Sequence, residues 1–197
     1  MLIIASPSGA GKSYLMEMIQ QGACSGLCER LGITDTASWL YLESFRLKKM
    51  SKVPIDKLVL HYDLGANVGN GENFSNLDAL IANTDHVEVL TLCTRPNVLI
   101  QRKKLAPIGR PQVPLISLKR LKQKVREIRW RLKLKGFDHV SSTFALYEAW
   151  RMYLDKYTIK RHWLLDFNQN TIVQMPCSYD PATLTQFISS SGNSISL

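Results

Sequence analysis

The chain has 197 residues, 45% hydrophobic and 21% charged, a balance that excludes a disordered polymer and suits one sizeable core rather than two. Its net charge is +9, yet no apolar stretch approaches the roughly 20 residues of a membrane-spanning helix. A glycine turn begins within six residues of Met1, leaving no room for a signal peptide ahead of it. The expectation is a cytoplasmic protein with no membrane partner.

The first element is the apolar run Leu2-Ile3-Ile4-Ala5, which reads as a buried parallel strand. It leads into Ser6-Pro7-Ser8-Gly9-Ala10-Gly11-Lys12-Ser13, and the stretch Tyr14 to Ile19 that follows reads as a helix. In a strand–turn–helix context, glycines let backbone N–H groups wrap phosphate oxygens. Lys12 reaches the outer phosphates, and the Ser13 hydroxyl is placed to bind Mg²⁺. The alternative is an ordinary strand-to-helix turn that needs glycine for positive φ. The nucleotide-binding set drawn from this stretch is Ser8, Gly9, Ala10, Gly11, Lys12, Ser13 and Tyr14.

Pro7-Ser8-Gly9-Ala10-Gly11-Lys12-Ser13 resembles the P-loop of nucleoside monophosphate kinases, guanylate kinases especially, and more broadly that of small-molecule P-loop kinases. The close likeness covers about ten residues, with a looser echo in element order. Ser6 stands where the pattern usually has glycine. The resemblance implies a P-loop kinase-like fold, ATP and Mg²⁺ as ligands, and a phosphoryl acceptor. Guanylate kinases also carry a Thr-Arg-x-x-Arg type segment with a nearby Gly-Glu. That segment has no counterpart between Leu15 and Asp63, so GMP is not the expected acceptor.

Residues 22–37 are rich in Gly, Ser, Thr and Cys and read as turns. Trp39 through Phe45 is ambiguous between strand and helix, with helix favoured. Lys57 to Asp63 is the next strand, apolar and ending in a carboxylate; Leu64 to Asn76 is a Gly/Asn-rich loop, and Ser75 or Asn76 caps a helix over Leu77 to Ala82. Val87 to Cys93 is a further strand, and Pro96 suits the first turn of a helix carrying Val98, Leu99 and Arg102. A Pro-broken linker from Ala106 to Pro114 precedes a long helix with an apolar stripe of Leu118, Leu121, Val125, Ile128 and Leu132. Another helix carries Phe144, Tyr147, Trp150, Tyr153 and Leu154. His162 to Phe167 and Thr171 to Met175 read as strands joined by Asn168-Gln169-Asn170, and Asp180-Pro181 opens a last helix.

Strands alternating with helices imply an α/β three-layer sandwich with a mostly parallel sheet, the ligand lying at the carboxyl ends of the strands. Residues 1–190 form one P-loop kinase-like domain, with a basic helical lid over about 102–136 and a flexible tail at 191–197.

Phosphoryl transfer needs a metal carboxylate, a means of orienting the acceptor, and cations around the transferring group. Asp63, at a strand's carboxyl end, is the candidate carboxylate, as Mg²⁺ ligand with Ser13 or as acceptor of a substrate hydroxyl proton. The other reading of Asp63 is an acid that opens a turn. His61, two residues earlier on the same strand face, reads as a half-buried core histidine. The passage from Thr91 to Pro96, leading to Leu99 and Arg102, resembles the strand–helix stretch before the lid in small P-loop kinases. That likeness implies that Arg95 and Arg102 clamp phosphates, with Lys103, Lys104 and Arg110 extending the run. The catalytic set is therefore Lys12, Asp63 and Arg102. The plainer reading of these cations is a solvated face.

From Arg102 to Lys135 thirteen Lys and Arg accompany one acid, Glu127, giving a local net of +12, so the remainder sums to −3. This basic segment is either a lid over a triphosphate, a surface for a polyanion such as nucleic acid, or a solvated face. Trp130, off the apolar stripe, suits stacking on a base or packing on a neighbouring helix. Four cysteines (Cys24, Cys28, Cys93, Cys177) show no second Cys or His pair at zinc-site spacing and read as reduced thiols.

The leading functional expectation is an ATP-dependent kinase of a small hydroxylated or phosphorylated metabolite: a sugar, nucleoside or nucleotide. The alternatives are a nucleic-acid-linked protein, such as a polynucleotide kinase or an NTP-gated binding module, and a sulfotransferase of related fold. The Gly-Lys-Ser sequence disfavours the sulfotransferase, because that pair serves a Mg²⁺-bound triphosphate.

Overall fold

The computed structural model describes residues 1–43, 55–65, 75–105, 139–166, 171–176 and 179–190. Their six strands form one sheet in the order β2-β3-β1-β4-β5-β6. The strands are β1 (Leu2–Ser6), β2 (Leu40–Glu43), β3 (Leu58–Asp63), β4 (Glu88–Cys93), β5 (Arg161–Asp166) and β6 (Thr171–Met175). All neighbours pair in parallel except β5 and β6, which are antiparallel. The helices are α1 (Lys12–Gln20), α2 (Ser25–Arg30), α3 (Ser75–Ala82), α4 (Pro96–Leu105), α5 (His139–Leu154) and α6 (Pro181–Ser190), with a 3₁₀ turn at Thr36–Ser38.

Strand β1 is buried at every position, as the apolar run Leu2–Ala5 requires of a parallel strand covered on both faces. Alternate residues divide between two apolar clusters. Leu2 and Ile4 join Leu15, Met16 and Ile19 of α1, Cys28 of α2 and Leu99 of α4. Ile3 and Ala5 face Leu77 and Ile81 of α3, Tyr147, Trp150, Tyr153 and Leu154 of α5, and Leu184 and Ile188 of α6. Helices thus cover both faces of the sheet, an α/β arrangement compatible with a three-layer sandwich.

The second cluster contains a column of rings. Tyr62 stacks on Trp150 with centroids 5.6 Å apart, Trp150 on Tyr153 at 5.6 Å, and Tyr153 meets Tyr157 at 5.3 Å. The hydroxyls of Tyr153 and Tyr157 both donate to Asp78 Oδ1, at 2.7 and 2.6 Å, pinning α5 to α3.

Two local expectations are overturned. The run from Trp39 does not give a helix: Leu40–Glu43 is the parallel neighbour of β3, with Leu40 facing Leu58 and Glu43 facing His61. The Leu40 N–H donates to Lys57 O at 2.8 Å, so pairing with the sheet decides what local preference leaves open. Within residues 22–37, read as turns, six residues form α2, which buries Cys28. The strand expected at Val87–Cys93 begins one residue later, and the hairpin, the Pro96 helix and the helix after Asp180 all form. Asp180 Oδ1 accepts the Ala182 N–H at 2.8 Å, as a side chain capping the helix start does.

The expected lid helix with its stripe, Trp130, Arg110 and the 106–114 linker lie outside the described residues, as do the Asn168–Asn170 turn and the tail from 191. Among the described residues no helix is long and apolar enough to cross a membrane.

Candidate functional site

Strand β1 lies between β3 and β4 and pairs in parallel with both. The chain leaves β1 for one half of the sheet, builds β2 and β3, and then crosses over to β4 on the other side. A crevice opens at the carboxyl end of a strand where crossovers diverge in this way. The residues after β1 occupy that place, and Asp63 is brought to it by register, because Ser6 pairs with Asp63 and Ile4 with His61.

The turn is shaped by two glycines in the left-handed region, Gly9 at φ 89° and Gly11 at φ 103°. Gly11 is also the N-cap of α1, and its carbonyl accepts the Leu15 N–H at 2.9 Å. The first-turn N–H groups of a helix have no acceptor within it, so this end carries partial positive charge.

Lys12 is 3% exposed, and its ammonium reaches across the turn to the residues that open it. It donates to Ser6 O at 2.7 Å, Ser6 Oγ at 3.1 Å and Pro7 O at 3.1 Å, and lies 3.6 Å from Asp63 Oδ2. The Ser6 hydroxyl, at the position where glycine is usual, donates in turn to Pro7 O. Ser8 Oγ donates to Asp63 Oδ2. From α4, Arg102 Nη1 donates to Ala10 O at 3.1 Å and Gly9 O at 3.5 Å. Ala10 is fully buried and offers the site only its backbone.

Ser8, Gly9, Gly11, Lys12, Ser13, Tyr14, His61, Asp63 and Arg102 line a cavity of about 430 Å³. That is the size of ordinary small-ligand sites, roughly 300–1,000 Å³. All three expected catalytic residues are there, with most of the expected nucleotide-binding set. Arg95 is placed elsewhere: its Nη2 donates to Ser189 O of α6 at 2.7 Å. Arg110 lies outside the described residues.

His61 belongs to this cavity, although its sequence suggested a plain core position. Its Nε2 stands 3.3 Å from Ser13 Oγ. Burial, and then the neighbouring Lys12 ammonium, hold its imidazole below the usual pKa, favouring the neutral ring that can accept a hydroxyl proton. The available signal was its two-residue spacing from Asp63, which puts both side chains on one strand face.

Among the described residues no group of three or more His, Cys, Asp or Glu side chains gathers as a metal site. Ser13 and Asp63 are one hydroxyl and one carboxylate, a donor set that fits a Mg²⁺ sharing its shell with phosphate oxygens and water. Cys24, Cys28 and Cys93 are free thiols. Burial, then the adjoining Cys28 at 3.9 Å, pushes the Cys24 thiol up to about 12.

Comparison with known proteins found no match to a family model, a curated protein or a solved structure.

Proposed function

We propose that the chain is an ATP-dependent phosphotransferase acting on a small hydroxylated or phosphorylated metabolite. One observation carries this reading. Lys12 and Ser13 at the start of α1, Asp63 at the end of β3 and Arg102 on α4 come from three separate places in the sequence and line one cavity beside a turn with two positive-φ glycines.

In this reading the turn is a P-loop. Its glycines and the start of α1 receive the polyphosphate, and Lys12 and Arg102 balance the charge that develops in transfer. Ser13 and Asp63 would hold Mg²⁺, which would supply positive charge against the polyphosphate. Asp63 has a second capability: the Ser8 hydroxyl already donates to it, so an acceptor hydroxyl entering the cavity finds a carboxylate placed to take its proton. Arg102 is held at the cavity by Nη1 on the carbonyls of Gly9 and Ala10, and the rest of its guanidinium carries further donors suited to phosphate oxygens.

Lys12→Ala is expected to lower ATP turnover by about 10²–10³-fold, the usual cost of removing one donor to transition-state charge. Asp63→Asn is expected to spare ATP binding and lower the rate. Isothermal titration with ATP·Mg²⁺, followed by ADP formation in the presence of candidate acceptors, separates the two effects. Unchanged turnover in both variants ends this mechanism.

The basic segment motivates the second reading, a protein linked to nucleic acid. Thirteen cations against one acid over residues 102–135 give salt-sensitive attraction to a polyanion. Affinity for an oligonucleotide that falls steeply with salt supports that reading, and flow-through on heparin counts against it.

A further inference from the structure

Tyr14 sits in the first turn of α1 and is 57% exposed, one of three large apolar side chains that stand out from the surface among the described residues. Its neighbours on the helix divide cleanly. Leu15, Met16 and Ile19 are buried and fix α1 to the sheet. Tyr14 stands out from the surface and lines the same cavity as Lys12, Ser13 and Asp63.

The rest of the lining is chemically one-sided. Glycine backbone, two serine hydroxyls, an ammonium, a carboxylate and a guanidinium recognise an anion, whereas the faces of aromatic rings repel one. Tyr14 and His61 are the aromatic rings of the lining; His61 is turned to Ser13 Oγ at 3.3 Å, and the planar guanidinium of Arg102 donates to the carbonyls of Gly9 and Ala10. The face of an exposed phenol ring beside a phosphate cradle gains nothing from a bare polyphosphate, which can use only the hydroxyl at its tip. It gains a full stacking contact from a ligand that carries a planar aromatic ring one short linker away from its phosphates.

We infer that Tyr14 is the platform for the ring of the ligand, and that this cavity selects aromatic nucleoside polyphosphates over ring-free polyphosphates through that side chain. The inference rests on the reading of the Ser6–Ser13 turn as a polyphosphate cradle. Stacking is tolerant of the base, because every base presents a π-face, so Tyr14 selects for a nucleotide without choosing between adenine and guanine.

The test measures dissociation constants of the full chain for ATP·Mg²⁺, GTP·Mg²⁺ and inorganic tripolyphosphate·Mg²⁺, using wild type, Tyr14→Ala, Tyr14→Phe and Lys12→Ala. Loss of one base–aromatic stack is expected to weaken both nucleotides roughly 5- to 150-fold in Tyr14→Ala. Tripolyphosphate is expected to bind wild type and Tyr14→Ala within about twofold of one another, and Tyr14→Phe to keep nucleotide affinity. Equal losses for ATP and tripolyphosphate in Tyr14→Ala overturn the inference, since Tyr14 then only shapes the turn; so does unchanged nucleotide affinity. Lys12→Ala separates the two levels: tripolyphosphate binding that Lys12→Ala does not weaken overturns the cradle itself. Tripolyphosphate binding that depends on Lys12, with nucleotides bound no tighter, overturns the role of Tyr14 alone.

Discussion

Strands β3 and β5 both end in an aspartate, and the two carboxylates have opposite surroundings. The Asp63 side chain is 17% exposed and lines the cavity beside the glycine turn. Asp166 is 1% exposed and pairs in register with the fully buried Cys93. The difference lies in what covers each strand end. Next to β3 stands a turn with two positive-φ glycines that bring backbone, not side chain, to the crevice. Over β4 and β5 stands α5, whose Tyr147 hydroxyl donates to Leu92 O at 2.8 Å and accepts the Thr94 N–H at 3.2 Å, sealing the chain end. Burial lifts the Tyr147 and Cys93 ionisations well above their ordinary ranges, which keeps both groups neutral and inert. The two strand-end acids thus differ in exposure: Asp63 lines a cavity, whereas Asp166 is buried against the face that α5 covers.

The strongest way to break this contrast is to damage the sealed side and ask whether the open one notices. Trp150 is 1% exposed, stacks between Tyr62 and Tyr153, and donates its indole N–H to Thr91 Oγ1 at 3.1 Å. Trp150→Ala is expected to cost about 3–5 kcal/mol in urea unfolding, the range for truncating a large buried aromatic. Tripolyphosphate affinity of the remaining folded protein should be unchanged. A parallel loss of affinity means that the two strand ends are coupled and the contrast is false.

A second test uses pH. His162 is buried beneath α5, its Nε2 2.8 Å from Thr91 Oγ1. Burial, with a smaller contribution from Arg151, lowers its pKa to about 3. The unfolded imidazole titrates near 6.5, so between those values the unfolded chain binds a proton that the folded chain does not. Stability therefore falls as pH drops below about 6.5, by about 2 kcal/mol between pH 7 and pH 5. His162→Gln should remove that part of the slope, read as the difference between the two proteins' unfolding free energies at each pH. A slope unaltered by the substitution places the acid sensitivity elsewhere.

The open site was far more legible in the sequence than its setting. Gly9, Gly11, Lys12 and Ser13 carry their geometry in local chemistry: glycine permits positive φ, and a helix start follows at once. Asp63 was readable because an acid closing an apolar strand can only project at the strand's end. His61 was not, since its nearness to Ser13 depends on the register in which Ile4 meets His61, and register is a property of two distant segments. The edge strand β2 failed for the same reason. Leu40–Glu43 is too short to declare itself and becomes a strand by pairing with β3. Helix α2 was obscured by Gly and Cys, weak helix formers that burial of Cys28 overrides. Arg95 could not be placed from the sequence alone: its Nη2 donates to Ser189 O, a contact between segments 94 residues apart.

The smallest expected effect is also the one most specific to the turn. A Cβ on Gly11 would lie 3.8 Å from Arg102 Nη1, an ordinary contact, so space does not forbid alanine there. The backbone does, because φ is +103°, and a side chain in the left-handed region costs roughly 1–2 kcal/mol. Gly26 in α2 is the internal control. Its Cβ would meet nothing within 4 Å, and a helical glycine replaced by alanine gains up to about 1 kcal/mol. Gly11→Ala is therefore expected to lower the melting temperature by roughly 2–8 °C and Gly26→Ala to raise it slightly. Only Gly11→Ala should weaken tripolyphosphate, because only there does the backbone itself form the lining. If both substitutions raise the melting temperature, the turn does not depend on its left-handed glycine, and the open strand end loses the feature that separates it from the sealed one.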